Sequence, residues 1–124
     1  MSGPLRIALA KGRLYQPAVA RFAAAGIVID PEPGRRLLIP SSDPAIEFLV
    51  VKPADVAVYV ESGAADLGVT GTDVLRESEA DVLEPLDLGF GACRLVVASP
   101  AAQPFPALPG GKTARVATKY PNLA

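Results

Sequence analysis

Leu5-Arg6-Ile7-Ala8-Leu9-Ala10-Lys11-Gly12-Arg13-Leu14 is the stretch on which the fold turns. A short apolar run stops abruptly at a glycine between two cations, which reads as a buried strand feeding a tight turn. Beyond the turn the period changes. Leu14, Ala18, Phe22 and Ala25 recur at helical spacing. Pro17 falls in the first helical turn, where its missing N–H costs little, and Gly26 supplies the stop.

Working outward, Asp30 to Gly34 is a turn, and Arg36 to Pro40 and Ile46 to Val51 read as strands around the polar turn Ser41 to Pro44. Pro53 opens a helix to Glu61 with Val56, Tyr59 and Val60 on its apolar face. Asp55 in the first turn favours the positive end of its dipole, and Gly63 closes it. Asp66 to Thr70 is a short strand, and Gly71-Thr72-Asp73 opens a brief helix. Val82 to Leu88 and Cys93 to Ala98 read as two further strands. Ser99 to Lys112 holds four prolines and Gly110-Gly111, the composition of a linker. Ala114 to Thr118 resumes a strand, and Tyr120 to Ala124 reads as the start of a helix. Strands alternating with helices predict an α/β sheet covered on both faces. The expected organisation is a first domain over 1–98, a linker over 99–112 and the start of a second domain over 113–124.

Composition narrows the chemistry. A chain of 124 residues suits one domain and buries roughly two-thirds of its unfolded surface. The formal net charge of −1 gives no reason to expect nucleic acid or an anionic membrane as partner. No apolar stretch approaches the ~20 residues of a membrane span, and the N-terminus lacks the pattern of a secretory signal. Cys93 is the only cysteine, so no internal disulfide forms, and a reducing, cytoplasmic setting is expected. With no histidine, Ser-His and Cys-His catalysis and an imidazole zinc site are excluded.

Two strand-to-helix turns carry candidate chemistry. At Lys11-Gly12-Arg13, free N–H groups of a helix N-terminus and two cations would attract an anion, and glycine lets the backbone come close to it. A solvated basic turn is the alternative. At Gly68 to Asp73, Thr70 and Asp73 fit a capping pattern, while Gly71 and Thr72 offer N–H and hydroxyl donors to a phosphate; both readings can hold together. Alternation sends Arg35 and Arg36 to opposite faces, one toward a cleft and one toward solvent, unless they are a plain surface pair. Cys93 reads as a small buried hydrophobe rather than a nucleophile.

Five segments in register carry a family resemblance: IALAKGRL (7–14), RRLLIP (35–40), YVESGAADLGVTGTDVL (59–75), EPLDLGFGACRLVVA (84–98) and RVATKYPNLA (115–124). Together they resemble the ATP phosphoribosyltransferases over essentially the whole chain, and more the short form of that family than the long. The resemblance implies a periplasmic-binding-protein type II-like domain followed by a second domain cut short. It implies joining of N1 of the adenine of ATP to C1 of phosphoribosyl diphosphate, the first step of histidine biosynthesis, with Mg²⁺ carried on the substrates.

Residue by residue, the resemblance matches Arg13 to the arginine of the family's K-G-R motif and Arg35 to the first arginine of its R-[KR]-L motif. These two are the expected stabilisers of departing pyrophosphate. Lys11, Gly12, Gly71 and Thr72 are implied as substrate-binding. So are Asp87 and Arg94, in a cleft-facing stretch, and Lys119 and Tyr120, near the nucleotide. Lys52 departs from the arginine that many relatives carry before the helix at Pro53. The acidic, Thr/Gly-rich loop that binds the sugar phosphate late in the family's chain has no match here. This polypeptide alone is therefore expected to make little product, and its tail after Ser99 to pack poorly. Implied partners are ATP, phosphoribosyl diphosphate, further copies of the chain and a regulatory subunit resembling a histidyl-tRNA synthetase. A small-ligand-binding module of the same fold and a non-catalytic remnant are the competing readings.

Overall fold

The computed structural model describes residues 3–102, 113 and 115–123. In chain order the elements are β1 (Leu5–Ala10), α1 (Tyr15–Ala24), β2 (Leu38–Pro40), β3 (Ile46–Val51), α2 (Pro53–Glu61), β4 (Leu67–Val69) and α3 (Thr72–Ser78). The four strands form one mixed sheet in the order β2-β3-β1-β4. β3 and β4 both run parallel to β1, one on each edge, and β2 is antiparallel on the outer edge of β3.

Alternation along the central strands splits the core into two layers. Ile7, Leu9, Phe48 and Val50 face α1 and pack with Tyr15, Ala18, Ile29 and Ile39. Phe22 of α1 meets Phe48 edge-on, with ring centroids 5.0 Å apart. Ala8, Ala10, Leu49 and Val51 face the other way and pack with Val56 of α2 and with Ala65. The β1 side chains are large toward α1 and small toward α2, so the second helix lies close to the sheet.

Helix ends are closed by local chemistry. After α1, Gly26 N–H donates to the Ala23 carbonyl at 2.9 Å and Ile27 N–H to that of Phe22 at 2.8 Å, the paired bonds of a Schellman stop. α2 starts with Pro53 and has Asp55 in its first turn, as its sequence predicts. β4 is led into place by Asp66, whose carboxylate accepts from Arg6 N–H and whose own N–H donates to the Arg6 carbonyl, both at 2.9 Å.

Several expectations are corrected. Neither 82–88 nor 93–98 is a strand. The apolar pattern suits a pleated surface, but a strand exists only where another strand pairs with it, and among the described residues none does. Leu83, Leu86, Leu95, Val96 and Val97 are consequently exposed, and so is Cys93. Between the two stretches the chain is turned by Asp87, which accepts from Gly89 N–H at 2.9 Å, and by Gly89 and Gly91, both with φ of 73°. β2 begins at Leu38 rather than Arg36, because Arg36 N–H is drawn back to the Pro33 carbonyl at 3.3 Å. Thr70 does not cap α3. Gly71 occupies that position, and the Thr70 hydroxyl donates to the Pro53 carbonyl at 3.2 Å.

Residues 115–118 form no strand, and Tyr120–Leu123 form a turn rather than a helix start. That turn is nevertheless held. The N–H groups of Asn122 and Leu123 donate to the Glu77 carboxylate, and the Asn122 side chain donates to the Glu77 carbonyl at 2.8 Å. Apart from this clasp the described tail is little covered: residues 115–119 are all exposed. Ala114, Ala124 and most of the expected linker lie outside the described residues.

The close approach of α2 gives a direct test. A Cβ at Gly68 would stand 2.6 Å from Val56 Cγ1 and 3.0 Å from Val60 Cγ2. Val56 is buried and stiff at χ1, so it has nowhere to go. Gly68→Ala should lower stability by about 1–3 kcal/mol, the usual cost of overpacking. Urea unfolding measures it, and an unchanged midpoint would show that the helix can ride outward at no cost.

Candidate active site

Because β1, β3 and β4 are parallel, their carboxyl ends lie on one edge of the sheet. The chain leaves β1 to form α1 and reach β3 on one side, then returns through α2 to β4 on the other. α1 and α2 belong to opposite faces. The carboxyl ends of β1 and β4 thus flank the point where the winding reverses, the place where open α/β sheets bind ligands. Lys11-Gly12-Arg13 comes after β1 there, and Thr70-Gly71-Thr72 comes after β4.

The first turn is built by the ladder. Lys11 N–H still donates to the Val51 carbonyl at 2.8 Å, so its backbone continues the sheet by one residue. Gly12 then reverses the chain with φ of 91°, a conformation side chains resist. Its carbonyl accepts from Tyr15 N–H at 3.1 Å and starts the helix. Lys11, Gly12 and Arg13 are all exposed. Among the described residues, the Arg13 side chain has no hydrogen bond and no ion pair.

Opposite this turn lies the Pro31–Gly34 loop. The two enclose a shallow hollow of about 270 Å³ whose walls include Lys11, Gly12, Gln16, Pro31, Pro33 and Gly34. Arg35 follows Gly34 in the chain and is also exposed, without a hydrogen bond or ion pair among the described residues. Arg36 has a different job. Its guanidinium pairs with the Asp30 carboxylate, and its Nε donates to the Pro33 carbonyl at 3.1 Å. Both arginines sit before β2 in a turn, so the strand alternation expected to divide them does not apply; Arg36 is held by its own loop and Arg35 is exposed.

α1 reaches across to the same loop. The Tyr15 hydroxyl donates to the Asp30 carbonyl, and the Gln16 amide to the Pro31 carbonyl, each at 2.6 Å. Burial, then the Asp30 charge, pushes the Tyr15 phenol above its ordinary value, so it stays protonated and remains a donor. The Asp30 carboxyl is held below its usual range by Glu32 N–H first and by Arg36 second.

The other expected residues spread out. Gly71 and Thr72 stand on the same sheet edge, at the start of α3. Asp87 turns its own loop, and Arg94 is exposed. That loop is pinned to α1, with Arg21 over the Phe90 ring at 5.6 Å and Gly91 so near Leu14 that a Cβ would come within 2.5 Å of its side chain. Lys119 lies over the Tyr120 ring at 5.5 Å, in the segment held by Glu77 at the opposite end of α3 from Gly71 and Thr72. The structure thus joins Lys11 and Gly12 with the Pro31–Gly34 turn around one hollow, places Arg13 and Arg35 next to those walls in sequence but not among them, and holds Lys119 and Tyr120 in the segment at Glu77. Sequence reasoning misses Tyr15, Gln16 and Asp30 as builders of the site. The turn composition around Asp30 is the one signal that points to them.

Asp30 offers a pH test. Its folded value lies below the ordinary 3.8, so the ionised form favours the fold. That contribution is present above the unfolded value and is lost as pH falls through the lowered folded one. Asp30→Asn should unfold at lower urea than the unsubstituted chain at pH 7, with the gap closing in acid. An offset that persists unchanged in strong acid would assign the effect to something other than this carboxylate.

Comparison with known proteins completes the picture. A family model described as ATP phosphoribosyltransferase matches residues 52–124. An ATP phosphoribosyltransferase of Acidithiobacillus ferrooxidans is 50% identical, the alignment covering 99% of this chain and 59% of the relative. One of Methylococcus capsulatus is 47% identical over 97% of this chain and 56% of the relative. A solved ATP phosphoribosyl transferase (HisG:HisZ) complex from Thermotoga maritima matches with a TM-score of 0.55 and 33% identity, over 66% of this chain and 39% of that one. The chain spans less than two-thirds of the length of these relatives.

Proposed function

This chain belongs to the ATP phosphoribosyltransferase family, and from that premise we propose that it supplies the diphosphate-stabilising half of an active site joining ATP to phosphoribosyl diphosphate. The carrying observation is the pair of turns that face one hollow at the carboxyl edge of the sheet, each with an exposed arginine at its end. The reaction forms a bond from N1 of adenine to C1 of the ribose. The bond from C1 to the diphosphate oxygen breaks, and its electron pair leaves with pyrophosphate. Negative charge grows on that oxygen, so cations fixed nearby lower the barrier. Arg13 and Arg35 suit the task, because a guanidinium stays charged and presents a fork to two phosphate oxygens. Lys11 adds a compact charge, and the Gly12 backbone lets the ligand approach.

Gly71 and Thr72 are proposed as donors to a second phosphate, beside β1 on the same edge. Asp87 and Arg94, on the loop pinned to α1, and Lys119 and Tyr120, on the segment held by Glu77, are assigned to nucleotide contacts. Among the described residues, no three carboxylates or thiols gather to hold a metal ion. Magnesium belongs in this reading to the substrates' phosphates, and no step here runs through it. The first domain is proposed to end near residue 98 and to have the periplasmic-binding-protein type II form. A regulatory subunit resembling a histidyl-tRNA synthetase, self-association and a cytoplasmic site are proposed from family membership. No described helix is long and apolar enough to cross a membrane.

The test uses this sequence fused to the C-terminal part of the Acidithiobacillus relative. Arg13→Ala and Arg35→Ala should each slow the single-turnover rate by about 10²–10³, the usual cost of one such electrostatic donor. Nucleotide binding should change far less. A normal single-turnover rate in either variant would remove that arginine from the mechanism.

A further inference from the structure

Arg35 is bracketed on both sides by contacts it does not itself make. Upstream, two consecutive carbonyls, of Asp30 and Pro31, accept from two consecutive side chains of α1, Tyr15 and Gln16. Downstream, Arg36 is tied to Asp30 and to the Pro33 carbonyl. Between the brackets, Pro31 and Pro33 have fixed φ, and the soft torsions that remain are those of Glu32, Arg35 and Gly34, the last with φ of 64°. Tyr15 and Gln16 lie two and three residues after Arg13, on the first turn of the helix that Gly12 starts.

We infer that Tyr15 and Gln16 are positioning residues that set where Arg35 stands relative to Arg13, so that the two guanidiniums meet one diphosphate. This rests on the assignment of Arg13 and Arg35 to the diphosphate. A single exposed hydrogen bond holds a loop weakly. Here two donors act from one rigid helical turn, and the phenol is buried while its hydroxyl reaches out to the loop. Both donors bind backbone oxygens, so they locate the loop without depending on what its side chains do. A span of fixed length between two cations matters because the bound geometry of a diphosphate is itself narrow.

The 124-residue chain tests this with inorganic pyrophosphate as the probe. Gln16→Leu changes an exposed position and leaves the core alone, and Tyr15→Phe keeps the ring. By amide exchange in solution, Glu32 and Arg36 should exchange about tenfold faster in Gln16→Leu while Leu9 is unchanged, as befits one lost hydrogen bond. By calorimetry, Gln16→Leu and Tyr15→Phe should each weaken pyrophosphate binding by about tenfold. Arg35→Ala should then cost less in the Gln16→Leu background than alone, since both changes remove one contact. That coupling is not expected of a residue that only stabilises the fold. Unchanged exchange at Glu32 and Arg36, or strictly additive losses, overturns the inference. Loss on Arg35→Ala with none on Gln16→Leu overturns the positioning role and leaves the diphosphate reading standing. No loss on Arg35→Ala overturns the diphosphate reading and this inference with it.

Discussion

β1 is hydrogen-bonded on both edges and covered by helices on both faces, and the other elements are arranged around that enclosure. From Ile7 to Ala10 every side chain is buried, so none can be polar without a partner. The first position free of this constraint is Lys11, at the exposed end of the strand. The same holds for Lys52 after β3. Three parallel strands therefore release their polar and charged residues along a single edge. Lys11, Arg13 and Lys52 lie past the ends of β1 and β3, and Thr70 and Thr72 lie past the end of β4.

Much of this is legible in the sequence because it rests on local signals. The bounds of β1, β3 and α2 come from apolar runs, glycine turns and the proline at a helix start. The unpaired stretches 82–88 and 93–98 mislead for a physical reason. Pairing is a tertiary event, and an apolar pattern records a preference for a pleated surface without supplying the neighbour. The site divides in the same way. Gly12 and the cations beside it announce themselves in sequence, whereas the grip of Gln16 on Pro31 joins a side chain to a backbone oxygen 15 positions away. No periodicity encodes such a contact. The roles of Arg13 and Arg35 come from family resemblance, and the spacing of residues alone leaves a solvated turn as an open alternative.

Adjacent arginines of the same chemical type illustrate how context assigns work. Arg36 is used up within its own loop by Asp30 and Pro33, while Arg35 is exposed and without an ion pair among the described residues. An ion pair as exposed as that of Arg36 adds little stability. Its value lies in fixing the loop's shape. The Glu77 clasp is of the same kind, because its carboxylate collects two backbone N–H groups while its carbonyl accepts from the Asn122 side chain.

The unequal faces of β1 also bear on how this family can change over time. Ile7 and Leu9 fill one layer, and Ala8 and Ala10 leave room for α2 in the other. Substitutions of similar volume can accumulate on either face. A single inserted or deleted residue within the strand cannot be absorbed, since it would drive the bulky side chains against α2 and the alanines into the space beneath α1 in one step. The strand from Leu5 to Ala10 therefore acts as a ruler of fixed length, and drift in sequence can recolour its marks without moving them.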